Sequence, residues 1–340
     1  MLRALLESEA DRLCQLIEQN AGPLRTAALG GTFQLGGAEF RLHAAARNTV
    51  YRVKDGHSWF LKLTRDGSPG AMAHEQQGAA AIEQAIGEHP SYQGAAVTRV
   101  SLDPAYVLAA AIPGRPLNKE FLRLSWGLLP GTSNTLTRIF ETLGSLLATL
   151  HGEALVGPDA IAATTRPFQQ LNQLLDRAKQ PDGTIRAIAA WCETHRHSDE
   201  GRTFQHGNFR LDNILRIGHG LGFIDFENSG TGTIYQDLSR PVSELLLTQT
   251  LVVFPRRRVT GSIAAFLRAY AAVRPFDVAT LSDHITVRVA RYYVESHARA
   301  FRASIGGIPV SRQKLTALME RLMTRGLTDV LPELSVLERQ

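Results

Sequence analysis

The chain has 340 residues, 44% hydrophobic and 20% charged, enough for two lobes around a substantial core. Lys and Arg number 37 and Asp and Glu 32, and this formal charge of +5 is too mild and too dispersed for a nucleic-acid binder. Two distant cysteines, Cys14 and Cys192, exclude a disulfide scaffold, and no run approaches the roughly 18 apolar residues of a membrane span, so a cytoplasmic protein without integral membrane association is expected.

Residues 4–19 place Leu and Ile at helical spacing, which predicts an amphipathic helix ending at Asn20 and Gly22. Three β-prone runs follow at 40–43, 49–53 and 59–63. Lys54-Asp55-Gly56-His57 between the last two is a hairpin turn, with Asp-Gly supplying positive φ. Residues 71–87 read as a helix, and 96–102 and 106–110 as strands flanking Asp103-Pro104. Ile112-Pro113-Gly114-Arg115-Pro116 is stiff punctuation and the expected boundary between an N-lobe, 1–111, and a C-lobe, 112–340. Beyond it helices are expected over 136–150, 166–180, 184–195, 237–251, 259–273, 282–303 and 311–324. Two short strands, 214–217 and 221–224, interrupt them around Gly218-His219-Gly220. The pattern is α+β: β-rich with one embedded helix first, mainly helical with an inserted hairpin second.

Chemistry concentrates in residues 204–238, a polar loop followed by a strand, a tight turn and a second strand that ends in a carboxylate. A hairpin of this length brings Asn213, at the loop exit, to Asp225, at the far strand end. Their oxygens are hard ligands of the kind magnesium accepts while keeping waters and a phosphate. Only five of the 37 basic residues are lysines (Lys54, Lys62, Lys119, Lys179 and Lys314), so the position of a lysine is informative. Lys62 is the lone cation of an apolar strand, costly to bury without an anion, and Glu75 on the following helix can supply one.

These residues carry a resemblance to the aminoglycoside phosphotransferase and choline kinase group. The loop His206-Gly207-Asn208-Phe209-Arg210-Leu211-Asp212-Asn213 is similar to that group's H-G-D-x-x-x-x-N, and Ile224-Asp225-Phe226 to its I-D-F. Ile112 to Leu117 resembles its I-x-G-x-x-L hinge. Leu150-His151 and Tyr235-Gln236-Asp237-Leu238 also match, so the likeness spans roughly residues 39–250.

The resemblance implies a bilobal protein-kinase-like fold and a phosphotransferase that uses ATP (or GTP) and Mg2+ on a small-molecule hydroxyl. Lys62 would hold the α- and β-phosphates, oriented by Glu75, with Asn213 and Asp225 as magnesium ligands. Asn48, in a strand turn, would meet a phosphate, and the hinge Ala109–Ile112, Ala111 included, would meet adenine. His206 would brace the loop through its ring nitrogens. Only twelve positions separate Asp225 from Asp237, too few for a protein kinase's activation loop and A-P-E segment, so the acceptor is a small molecule.

One departure concerns the reaction itself. The group's catalytic base is the Asp of H-G-D, and Asn208 stands there. An amide positions a hydroxyl but takes no proton at neutral pH, a loss of about 10²–10⁴-fold where base catalysis matters. A nucleotide-binding pseudokinase with a regulatory or scaffold role is therefore the alternative reading. Arg210 lies where protein kinases place a phosphate-contacting lysine, with pairing to Asp212 or Asp237 as the bland alternative. Glu227 is read as an addition to the metal shell or a contact to the acceptor, with a structural ion pair as the equal alternative.

Other signals read blandly. Cys192, His195, His197 and His206 match no zinc spacing. Gly218-x-Gly220-x-Gly222 lies in a hairpin, not before a helix. Arg256-Arg257-Arg258 reads as a solvated helix end rather than a contact to an anionic substrate or a membrane surface, and the helix bearing Arg288, Arg291, Tyr292, Tyr293, Glu295 and His297 as packed and salt-bridged, though the resemblance makes these residues acceptor-pocket candidates by position. The arginine-rich stretch from Arg240 to Arg339 favours a neutral or anionic acceptor over a polycation.

Overall fold

The computed structural model describes residues 2–26, 31–45, 48–65, 69–94, 98–127, 131–152, 167–178, 181–195, 203–251, 255–298, 304–305 and 308–334. Helix α1 (Leu2–Thr26) leads into a six-stranded antiparallel sheet made of β1 (Thr32–Leu35), β2 (Ala38–Ala45), β3 (Asn48–Asp55), β4 (His57–Thr64), β5 (Thr98–Leu102) and β6 (Ala105–Ala110). Its order is β1-β2-β3-β4-β6-β5, with α2 (Gly70–Ile86) inserted after β4. Leu6, Ala10, Leu13, Ile17, Ala21 and Leu24 form one buried stripe of α1 against Phe40, Tyr51, Trp59, Leu61 and Leu108 of the sheet.

Contrary to the sequence expectation, α1 runs on through Gly22 and Pro23. Leu24 continues the apolar stripe, and the sheet satisfies the last-turn carbonyls. Tyr51 Oη donates to Leu24 O at 2.7 Å, and Thr49 Oγ1 donates to Arg25 O at 3.2 Å. Strand β1 is an element that the periodicity does not announce, being only four residues with an exposed-and-intermediate pattern.

Past β6, strand β7 (Arg115–Pro116) pairs with β9 (Ile214–Ile217), itself a hairpin with β10 (Gly220–Phe223). Helices α3 (Leu117–Trp126), α4 (Thr132–Gly152), α5 (Pro167–Asp176), α6 (Gly183–Thr194), α7 (Ile234–Thr248), α8 (Arg256–Ala271), α9 (Val278–Ala298) and α10 (Arg312–Val330) build the larger part. Short strands β8 (Thr203–Gln205) and β11 (Gly230–Gly232) pair across the loop between them. Ile82 and Ile86 of α2 belong to the same apolar cluster as Phe209, Phe223 and Phe226, so the small part is seated on the large one through α2.

Helix α3 was not expected from the sequence. Its C-terminal carbonyls are capped from a distance. Arg258 Nη1 donates to Leu124 O at 2.6 Å, Ser125 O at 2.5 Å and Gly127 O at 3.0 Å. Arg256-Arg257-Arg258 thus stands at the N-terminus of α8, where the macrodipole disfavours cations, and Arg258 is placed there by another helix's end. The reading of this run as a solvated helix end is corrected for Arg258.

Candidate active site

Strand β4 turns Trp59, Leu61 and Leu63 into the core and leaves Lys62 on the opposite face, as the two-residue strand period requires. There Lys62 Nζ meets three carboxylates: Glu227 Oε2 at 2.7 Å, Asp225 Oδ1 at 2.8 Å and Glu75 Oε2 at 3.4 Å. Burial works against the ammonium, but Glu75, Asp225 and Glu227 outweigh it and raise its pKa above the ordinary lysine value. Glu75 is buried, which pushes its carboxyl upward against the pull of Lys62.

Glu75 reaches this point because Glu75, Gly78 and Ile82 share the α2 face turned to the Asp225 segment. Its Oε1 accepts the Phe226 amide at 3.2 Å. A Cβ on Gly78 would lie 2.1 Å from Ser229 Oγ and 2.7 Å from Phe226 Cβ, so the approach needs glycine. His74 and Ser229 fasten the contact: His74 Nδ1 lies 2.9 Å from Ser229 O, and Ser229 Oγ donates to His74 O at 3.1 Å.

The β9–β10 hairpin pairs Ile214 with Phe223, and the Ile224 amide donates to Asn213 O at 3.1 Å. This brings Asn213 Nδ2 to 3.3 Å from Asp225 Oδ2, while Asn208 Nδ2 donates to the same oxygen at 2.8 Å. Asp225 is the one non-glycine residue with positive φ, 72°, among those described, a conformation that costs about 1 kcal/mol or more and is held by these contacts. Burial pushes its carboxyl up, but Lys62 and Asn208 hold it below the usual aspartate value, so it is ionised at neutral pH.

The loop itself hangs from α7. Asp237, in the first turn, accepts the His206 amide at 2.6 Å and the Gly207 amide at 3.0 Å. His151 Nε2 lies 3.4 Å from Asp237 Oδ2, and its Nδ1 lies 2.9 Å from Tyr270 Oη. Gly207 has φ of +74°, and a Cβ there would fall 1.9 Å from Asn228 O. The His206 ring braces the loop through Nδ1, which accepts the Asn208 amide at 3.3 Å. Burial lowers the pKa of this imidazole and keeps it neutral.

The structure therefore gathers Lys62, Glu75, Asn208, Asn213 and Asp225 at one point, with His206 behind the loop. Asn48, the first residue of β3, joins them through Glu227: its Nδ2 donates to Glu227 Oε2 at 2.9 Å. Glu227 is thereby an ion-pair partner of Lys62. The Ala111 amide is not free for adenine, since it donates to Ser58 O at 2.8 Å, leaving only the carbonyl of that residue for a hinge contact. Arg210 pairs with Asp212 at 2.9 Å and Glu244 at 3.3 Å, and not with Asp237.

His195 stacks on Trp191 with centroids 4.3 Å apart, His197 lies outside the described residues, and no group of three metal-ligating side chains occurs among those described. Asp225 and Asn213 together suit a hard cation that shares its remaining ligands with water and phosphate.

A cavity of about 490 Å³ opens beside the loop, between α3, Arg210–Asp212, α7 and α9. Glu244 on its wall accepts the Leu211 amide at 2.9 Å and was overlooked in the sequence. Its signal was available: a single carboxylate heading the apolar run Leu245-Leu246-Leu247, the same anomaly that marks Lys62.

Among curated protein sequences none matches the chain. The chain is similar in structure to a choline/ethanolamine kinase family protein from Mesorhizobium loti, at 14% identity and a TM-score of 0.53 over 88% of this chain and 92% of that one. It is also similar to an amicoumacin kinase solved with AMP-PNP, Ca2+ and Ami, at 15% identity and TM-score 0.52 over 84% of this chain and 86% of that one. A type I macrolide 2'-phosphotransferase gives 16% identity and TM-score 0.50 over 93% and 97%. These likenesses fix the fold as kinase-like α+β. The family model for the phosphotransferase enzyme family matches residues 39–282, which include the sheet from β2 onward, the loop and the Asp225 hairpin, and the chain belongs to that family.

Proposed function

We propose that this protein transfers the γ-phosphoryl group of ATP (or GTP) to a hydroxyl of a small molecule. The supporting observation is the convergence of Lys62, Asp225, Asn213 and Asn208 on one point from separate elements. In this reading residues 1–111 form the nucleotide lobe and 112–340 the acceptor lobe. Lys62, once drawn from its carboxylates by a phosphate, holds the α- and β-phosphates, and Glu75 keeps it in place. Asn48 meets a phosphate, and the Ala111 carbonyl faces adenine.

Asp225 and Asn213 would hold Mg2+, which when bound neutralises charge on the triphosphate. The acceptor sits in the cavity beside the loop, its hydroxyl positioned by Asn208, with Arg210 reaching toward the transferring phosphate. The mainly cationic wall favours a neutral or anionic acceptor over a polycation. Dependence on a cellular nucleotide and two free thiols fits the cytoplasm.

Asn208 favours a second reading, a nucleotide-binding pseudokinase with a regulatory or scaffold role, because an amide accepts no proton. Both readings require Mg-ATP to raise the melting temperature of the full chain and Lys62→Ala to abolish the rise. A melting temperature unmoved by Mg-ATP would sink both. Phosphotransfer to a panel of hydroxyl compounds separates them: turnover by the native chain supports the enzyme, and turnover by Asn208→Asp alone, or by neither, supports the pseudokinase.

A further inference from the structure

The cavity beside the loop carries Lys119, Arg210, Arg240, Arg288 and Arg291 against Asp212, Glu244 and Glu295. The carboxylates are committed. Asp212 lies 2.9 Å from Arg210 Nε, Glu244 Oε1 lies 3.3 Å from Nε of both Arg210 and Arg240, and Glu295 Oε1 lies 3.2 Å from Arg291 Nη2.

Arg288 differs from its neighbours. It is 7% exposed, and its bonded partners are neutral: Nε donates to Ser239 Oγ and Nη2 to Gln236 O, each at 2.7 Å. Its Nη1 is buried with no hydrogen-bond partner among the described residues. Burial, and after it the Arg240 guanidinium, press against this charge and lower its pKa well below the ordinary arginine value. A guanidinium nevertheless keeps its proton at neutral pH, and Asp237 and Glu244 favour this one only through space, so with an unused donor and no carboxylate bonded to it the group is under-compensated until an anion arrives. Planar or tetrahedral oxyanions match its fork of donors, and Arg240 and Arg291 lie near enough to share them.

We propose that the acceptor carries an anionic group, a carboxylate or a phosphate, and that Arg288 is the residue that selects it. This rests on the phosphotransferase reading, since it takes the cavity as the acceptor site. The class is then a hydroxylated acid or a phosphorylated polyol. The anion anchors one end against α9 while the hydroxyl faces Asn208.

Titrations of the full chain by calorimetry and thermal shift test it, with malonate, inorganic phosphate, myo-inositol and spermidine as probes. Malonate or phosphate is expected to bind and raise the melting temperature, and whichever does so assigns the anion's chemistry. The response should survive Lys62→Ala, which removes the nucleotide-phosphate contact. It should weaken at least about tenfold in Arg288→Gln and less in Arg288→Lys. Arg291→Gln, at a half-buried position, must also weaken it, and decides the matter should Arg288→Gln fail to fold.

The proposal is overturned if neither anion binds, if binding is unchanged in these variants, or if spermidine or inositol is the better ligand. Mg-ATP stabilisation is measured on the same samples. Anion failure with the Mg-ATP response intact overturns this proposal alone, whereas loss of the Mg-ATP response removes the reading beneath it.

Discussion

Asn208 turns its Nδ2 to Asp225 Oδ2 at 2.8 Å, so an aspartate at 208 would set two carboxylates at hydrogen-bond distance. Without a cation that pair repels, and one member must take up a proton or move. Asn208→Asp is therefore expected to cost about 1–3 kcal/mol of stability in the absence of divalent metal. Millimolar magnesium should then raise the melting temperature of the variant by more than that of the native chain. Equal magnesium shifts in both would show that position 208 does not face a cation. At this scale the sequence is legible where a residue is anomalous in its context. Lys62 is a rare lysine in an apolar strand, and Asn213 and Asp225 are tied by hairpin length. The meeting of Glu227 with the Asn48 amide is not legible in this way, because their hydrogen bond joins positions 179 apart.

Among the elements, α1 is joined to the β3–β4 hairpin by one carboxylate. Glu9 accepts from the His57 amide at 3.1 Å and from Trp59 Nε1 at 2.8 Å, and its Oε2 lies 2.7 Å from His57 Nδ1. Burial raises its pKa, but these bonds prevail and hold it below the ordinary glutamate value. Removing it leaves the buried Trp59 donor unsatisfied, and Glu9→Ala should cost about 1–3 kcal/mol at pH 7. A depressed carboxyl stabilises the fold fully above its unfolded pKa of about 4.3 and loses that contribution as pH falls through the lower folded value. The melting temperatures of native and variant chains should therefore differ at pH 7 and converge below about pH 4. A gap that widens in acid would contradict this role.

The helix at 4–19 was readable from its apolar stripe, but its extension to Thr26 depends on Tyr51 and Thr49 in strands that follow it. Helix α3 escaped notice for a related reason. Gly127 is its one local stop residue among those described, and its last carbonyls are capped by Arg258, more than 130 positions away.

For the whole molecule, the proposed nucleotide site carries its own counter-charge. Three carboxylates surround Lys62, and a bare triphosphate approaching them meets repulsion as well as the ammonium. In the proposed function a divalent cation at Asp225 would relieve part of that repulsion and free Lys62 for phosphate. ATP in the presence of a chelator is expected to bind at least about tenfold more weakly than Mg-ATP, measured by calorimetry on the full chain. Equal affinities would mean that the carboxylates do not act on the nucleotide.

The order of a β-rich part followed by a helical part is legible because the strand period gives way to the helical one along the chain. How the two parts meet is not, because it depends on Gly78, Ser229 and Phe226 fitting side by side. Helix α7 has a consequence for timing between sites. Its first turn holds the loop amides through Asp237, and about one and two turns later Arg240 and Glu244 face the cavity. A guest bonded to Arg240 or Glu244 therefore bears on the same helix whose first turn holds the His206 and Gly207 amides, with Pro241 between Arg240 and Glu244.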